Sequence, residues 1–142
     1  MALDQASKAW VVGAFRLYES LALAPFFNLT FVFNPGAAFS FLRDAGGWQK
    51  WFFVALAFGI SGWLVATIRK HAAERLLPTA LSLILGGALG NVVDRLRYDA
   101  VVDFLDFHWA GVHFPAFNIA DSAITVGVAL MLWQQLTQKE TS

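Results

Sequence analysis

The stretch VVDFLDFHWAGVHFPAFNIADSAITVG (101–127) changes character at Pro115. From there to Trp133 run nineteen residues with one charge, Asp121. That length suits a helix crossing a hydrocarbon core, which takes about 20 apolar residues for about 30 Å. Ahead of Pro115 stand two further carboxylates, Asp103 and Asp106. A charge at the centre of a span costs on the order of 2.5–3.5 kcal/mol on insertion scales. Asp121 avoids part of that cost by lying only about six residues, or roughly 9 Å, below Pro115. A carboxylate from the preceding loop, Asp103 or Asp106, could meet it just beneath the membrane surface. The local chemistry of those two does not separate them.

Two more spans lie upstream. Trp51 to Ile68 and Leu76 to Val93 are each eighteen residues without a charge. The composition agrees: of 142 residues, 58% are hydrophobic and 14% charged, against about 45–50% and about 25% in soluble domains. A single small domain has no interior large enough for that excess. A polytopic membrane protein of one domain, residues 1–142, is expected. Ten basic and ten acidic residues give zero net charge, so no nucleic-acid footprint is present. With no cysteine, thiolate catalysis and cysteine metal sites are excluded.

RKHAAER (69–75) holds three Lys/Arg in seven positions and is predicted to face the cytoplasm. The next span then runs outward, and Arg95 to Phe114 form an outer loop. PFFNLTFVFNPGAAFSFL (25–42) is aromatic and β-branched, broken by Asn, Pro and Gly. That favours short strands or an extended amphipathic segment on the outer face. Near the start, Ala9 to Phe15 is apolar but only seven residues long. A first helix over about 3–17 is therefore expected to be short. Asp4 and Lys8 would lie near the cytoplasmic end or be drawn unsupported into the bilayer. The later elements are expected at about 25–47 (outer platform), 48–68, 76–95 and 115–136 (spans).

Two helical stripes follow the i, i+3, i+4, i+7 spacing of one face. They are Gly87, Gly90, Asn91 and Asp94, and Asn118, Asp121, Ser122 and Thr125. The glycines read as close helix packing and the amides as buried partners. Asp94 and Arg95 read as an interfacial ion pair. Ser61 in GISG (59–62) lacks a histidine base within any span, and His108 with His113 is a weak metal pattern.

Several blocks together resemble the lipoprotein signal peptidase, or signal peptidase II, family. They are NPGAAFSFL (34–42), GGALGNVVDR (86–95), VVDFLDFH (101–108) and FNIADSAI (117–124), preceded by LDQASK (3–8) and FFNLTFV (26–32). The resemblance is collinear over nearly the whole chain. It implies a mainly α, four-transmembrane-helix bundle of the bacterial inner membrane, with a small β-rich outer-face platform. The implied activity is that of an aspartic endopeptidase, removing the signal peptide from diacylglyceryl-modified prolipoproteins. Its catalytic aspartates fall on Asp103 and Asp121. Asn34, Asn91, Asp94, Arg95 and Asn118 take the supporting polar positions, and Asp4 and Lys8 match the polar pair of the first helix. Cofactors and metals are not implied. The partners implied are prolipoprotein substrates and membrane lipids, without nucleic acid, and the protein is expected to be monomeric with its site near the outer, periplasmic face. Two departures stand out: relatives carry more apolar sequence ahead of LDQ, and many have Gly where this chain has Asp99. The alternative from another class is a small proton-coupled transporter or assembly subunit with Asp121 as relay. Relays favour carboxylates stacked through the membrane depth, whereas here both candidates lie at one face.

Overall fold

The computed structural model describes residues 1–36 and 46–140. Part of the expected platform, 37–45, lies outside the described residues. The chain forms α1 (Ala2–Ala14), β1 (Ser20–Ala24), β2 (Phe27–Asn34), α2 (Gln49–Lys70) and α3 (Leu76–Tyr98). It continues with β3 (Val101–Trp109), β4 (Val112–His113) and α4 (Ile119–Glu140). α2, α3 and α4 are long and apolar enough to cross a membrane, with mean hydropathies of 1.9, 1.8 and 1.3 over their windows. α1 has 13 residues.

The four strands make one antiparallel sheet in the order β1-β2-β3-β4. It caps the end of the bundle where α3 finishes and α4 begins. At the opposite end, Gln134 of α4 donates to Glu74 in the α2–α3 turn at 3.0 Å. The segment expected as an outer loop is therefore largely strand. Its β-branched and aromatic run, VVDFLDFHW, suits a half-buried pleated surface. The hairpin turns through Ala110 (φ 51°) and Gly111 (φ 81°), a two-residue left-handed turn that matches strand twist.

The sheet is seated on α1. Val11 of α1 packs with Phe31 of β2 and with Val102 and Phe104 of β3 in one buried cluster. α3 ends at Asp99, in the left-handed conformation with φ 60°, where glycine or a short polar side chain is favoured. The extra charge at Asp99 is answered by Lys50, whose Nζ lies 2.5 Å from the carboxylate. That pair ties the start of α2 to the end of α3.

α3 and α4 touch backbone to backbone. A Cβ on Gly87 would sit 2.5 Å from the Ala120 carbonyl oxygen, and one on Gly127 would sit 2.6 Å from that of Ala80. Gly87→Ala must therefore spread the two helices and is expected to destabilise by about 1–3 kcal/mol, the usual cost of overpacking. Gly59→Ala, where nothing lies within 4 Å, should be neutral or stabilising, since Ala is the better helix former by about 1 kcal/mol. Thermal unfolding of both variants in detergent checks the contrast. Equal midpoints would refute the close α3–α4 approach.

Candidate active site

β3 carries Asp103 and the first turn of α4 carries Asp121, which are 2% and 3% exposed. Asn118 joins them. It is the residue before α4, and its Oδ1 accepts the N–H of Asp121 at 2.9 Å, the bond of a helix N-cap. With its oxygen so engaged, its Nδ2 points the other way and donates to Asp103 Oδ1 at 2.9 Å. It also reaches the carbonyl of Val102 at 3.2 Å. One side chain thus starts the helix that carries Asp121 and holds the carboxylate of Asp103.

Two other asparagines obey the same logic, since an amide whose oxygen is held by a donor must present its NH₂ elsewhere. Gly36 N–H donates to Asn34 Oδ1 at 2.9 Å, and Asn34 hydrogen-bonds Asp103. Lys8 donates to Asn91 Oδ1 at 3.0 Å, and Asn91 Nδ2 donates to Asp121 Oδ1 at 3.1 Å. Burial pushes Asp103 well above the ordinary carboxylate range, and the neighbouring charge of Asp121 adds to the effect. The Asn34 hydrogen bond, the charge of Lys8 and the Asn118 hydrogen bond oppose it.

Asp4 and Lys8 are not near the opposite end of the bundle, nor unsupported. Both are 2% exposed and belong to this layer. Lys8 Nζ lies 2.8 Å from Asp4 and 3.0 Å from Asp94. Asp4 Oδ1 accepts the N–H of Ala120 at 2.8 Å, satisfying a second otherwise unpaired donor of α4. Asp94 is not an interfacial group: it is 1% exposed, and it accepts from Val102 N–H at 3.0 Å. Its salt bridge is with Lys8. Arg95 instead donates to the Gly36 carbonyl at 2.6 Å and stacks over Phe53, 4.9 Å from the ring centroid. Gln5, absent from the sequence-based expectation, donates to the Gly90 carbonyl at 2.9 Å and to Asp94 at 3.2 Å. The signal for it was the LDQ block itself.

Asp106 faces other partners. It accepts from Asn28 at 3.2 Å and lies 2.8 Å from His113 Nδ1, with His113 stacked on His108. Among the described residues, no group of three or more His, Cys, Asp or Glu could hold a metal ion. Two cavities meet the site. One, of about 380 Å³, is lined by Thr30, Asn34, Asp103, Asp106 and His113. The other, of about 210 Å³, is an apolar groove between α2, α3 and α4 that includes Phe53, Ile60 and Ile124 and reaches Asn91, Arg95 and Asp121.

Three membrane-length helices capped by a small sheet, with buried acids between two cavities, define a polytopic membrane protein with an enzyme-like site. The sequence pattern of the signal peptidase (SPase) II family matches residues 1–137, and the chain belongs to that family. It is similar to the lipoprotein signal peptidase of Shewanella baltica (strain OS195), with 59% identity over 131 residues, 92% of this chain and 77% of the relative. The lipoprotein signal peptidase of Azoarcus sp. (strain BH72) is 57% identical over 136 residues, 96% and 77% of the two chains. A bacterial membrane enzyme solved by the in meso method superposes with a TM-score of 0.89 at 34% identity, covering 99% of this chain and 85% of that one. A second such structure gives 0.81 at 36% identity, covering 95% and 86%. The protein is thus a multi-pass membrane peptidase with signal peptidase II function, and the transporter alternative is not favoured.

Proposed function

We propose that this chain is an aspartic endopeptidase that removes the signal peptide from diacylglyceryl-modified prolipoproteins, with Asp103 and Asp121 as its catalytic pair. The observation that carries the proposal is the joint seating of two buried aspartates by Asn118, which donates to the Asp103 carboxylate and accepts the backbone N–H of Asp121. Adjacent carboxylates in an apolar site cannot both ionise readily, so the pair holds one proton near neutral pH. The ionised member takes a proton from a water lying between them, and that water attacks the scissile carbonyl. The protonated member supports the developing oxyanion and later protonates the leaving amine. The proton belongs to the pair as a unit.

The two cavities support a division of the substrate. The polar cavity beside Asp103 suits peptide backbone, and the apolar groove reaching Asp121 suits acyl chains. Asn34, Asn91, Asp94, Arg95 and Asn118 support the pair and the bound chain. Cleavage of a diacylglyceryl-modified model prolipoprotein by the purified protein tests the whole reading, and failure to cleave it would overturn the substrate assignment.

The proposed setting is the bacterial inner membrane, with the sheet and site at the outer face and the protein acting as a monomer among membrane lipids. The basic turn at 69–75 favours this orientation. A single cysteine replacing Ala110 should react with an impermeant thiol reagent in intact cells, and one replacing Ala73 only after permeabilisation. The reverse pattern would invert the topology.

A further inference from the structure

The three asparagines around the two aspartates differ in what holds their oxygens. For Asn34 and Asn118 the anchor is a backbone N–H, from Gly36 and Asp121. Neither anchor can be lost without moving the chain. For Asn91 the anchor is a side chain, Lys8, at 3.0 Å, joined only by a longer 3.3 Å contact from Asn118 Nδ2. An ammonium has donors and no acceptor, so Asn91 cannot turn its NH₂ toward Lys8. That leaves the Asn91 NH₂ for Asp121 Oδ1.

We infer that Lys8 is a positioning residue for the reaction: it locks the Asn91 amide so that an N–H, not a carbonyl oxygen, faces Asp121. A reversed amide would set oxygen against oxygen and withdraw a hydrogen bond from Asp121. This rests on the aspartic mechanism proposed above. The charged groups facing the cluster are Asp4 and Lys8 from α1, Asp94 and Arg95 from α3, Asp103 from β3 and Asp121 from α4. Lys8 also pairs with Asp4 and Asp94, so its removal alone would leave two buried carboxylates unanswered. The test must separate that structural role from the amide lock.

The experiment uses a parent carrying Asp4→Asn and Asp94→Asn, in which both salt-bridge partners are neutral. Among the described residues, Asp103 and Asp121 alone then answer the buried Lys8 charge, and each kcat is compared with this parent's own lowered value. Side-chain oxygens remain to accept from Ala120 and Val102. Adding Lys8→Met removes the donor without stranding a charge. It is expected to lower kcat for the model prolipoprotein by about tenfold or more with KM little changed, the mark of an interaction made in the transition state. Lys8→Arg, which like the native residue has donors and no acceptor, should restore kcat. A Lys8→Met kcat equal to the parent's, or equal losses in the Met and Arg variants, would overturn the inference. In case the doubly neutralised parent does not fold or does not cleave, Asn91→Asp in the otherwise native chain keeps an oxygen on Lys8 but turns a second oxygen onto Asp121. Its added buried carboxylate should lower the melting midpoint at neutral pH and less so in acid, and kcat should fall about 100-fold with KM little changed, the scale of a lost transition-state donor. Near-native kcat in that variant overturns the lock. If the native chain cleaves and also survives Asp103→Asn and Asp121→Asn, the aspartic mechanism fails instead.

Discussion

Asp103→Asn and Asp121→Asn should each lower kcat/KM for a diacylglyceryl-modified model prolipoprotein by on the order of 10³-fold or more, within the range that general acid–base catalysis contributes. Asparagine keeps the shape but can neither take a proton from water nor share one. Asp106→Asn is the control, because Asp106 is engaged with Asn28 and His113, and it should retain substantial activity. Stability should move the opposite way at Asp103. Its folded-state pKa is raised above the ordinary value of 3.8, so above pH 3.8 the folded state binds more protons than the unfolded one. Stability therefore falls as pH rises through the raised value. The inactive Asp103→Asn variant, which has no proton to lose, is expected to melt higher than the parent at neutral and alkaline pH. The gap should close in acid. Cleavage within tenfold of the parent would remove Asp103 from the chemistry, and a lower melting midpoint at alkaline pH would contradict the burial argument.

Asn118→Ala should give the next largest effect, and on two readouts together. Losing an N-cap costs about 0.5–2 kcal/mol, and leaving a buried polar group without its partner about 1–3 kcal/mol. A combined loss of about 1.5–5 kcal/mol is expected, with a fall of about 100-fold in kcat as both aspartates lose a fixed neighbour. Asn118→Asp divides the two roles. It restores an oxygen to cap α4 but presents another oxygen to Asp103. Its melting midpoint should recover part of the loss while cleavage stays low. Recovery of cleavage along with stability would mean that Asn118 serves the helix alone.

The three long helices were legible in the sequence because an uncharged run of eighteen residues has few other uses. Asp121 was legible because a charge inside such a run is costly. The choice of Asp103 over Asp106 was not, since both stand on one polar-edged segment and only the resemblance of VVDF to the family divided them. β3 reads as a loop from the sequence, because a segment between two spans is a connection by default and its β-branched run shows its partners only once β2 is paired with it. The place of Asp4 and Lys8 is hidden for a different reason. Hydropathy assigns a charge to water or to a penalty, whereas the partners that neutralise Lys8 include Asn91 and Asp94, more than eighty residues away. No local pattern carries that pairing.

The bond from Asp4 to the N–H of Ala120 spans 116 residues and has a consequence for biosynthesis. A ribosome has made α1, the whole sheet and two long helices before it makes the group that Asp4 caps. Until then α4 is missing, Asp121 does not exist and the amide network has no second carboxylate to brace. The nascent peptidase therefore passes most of its synthesis as an incomplete, inactive scaffold. On the proposed mechanism, its cutting power arrives late and all at once, when the last helix inserts beside the first.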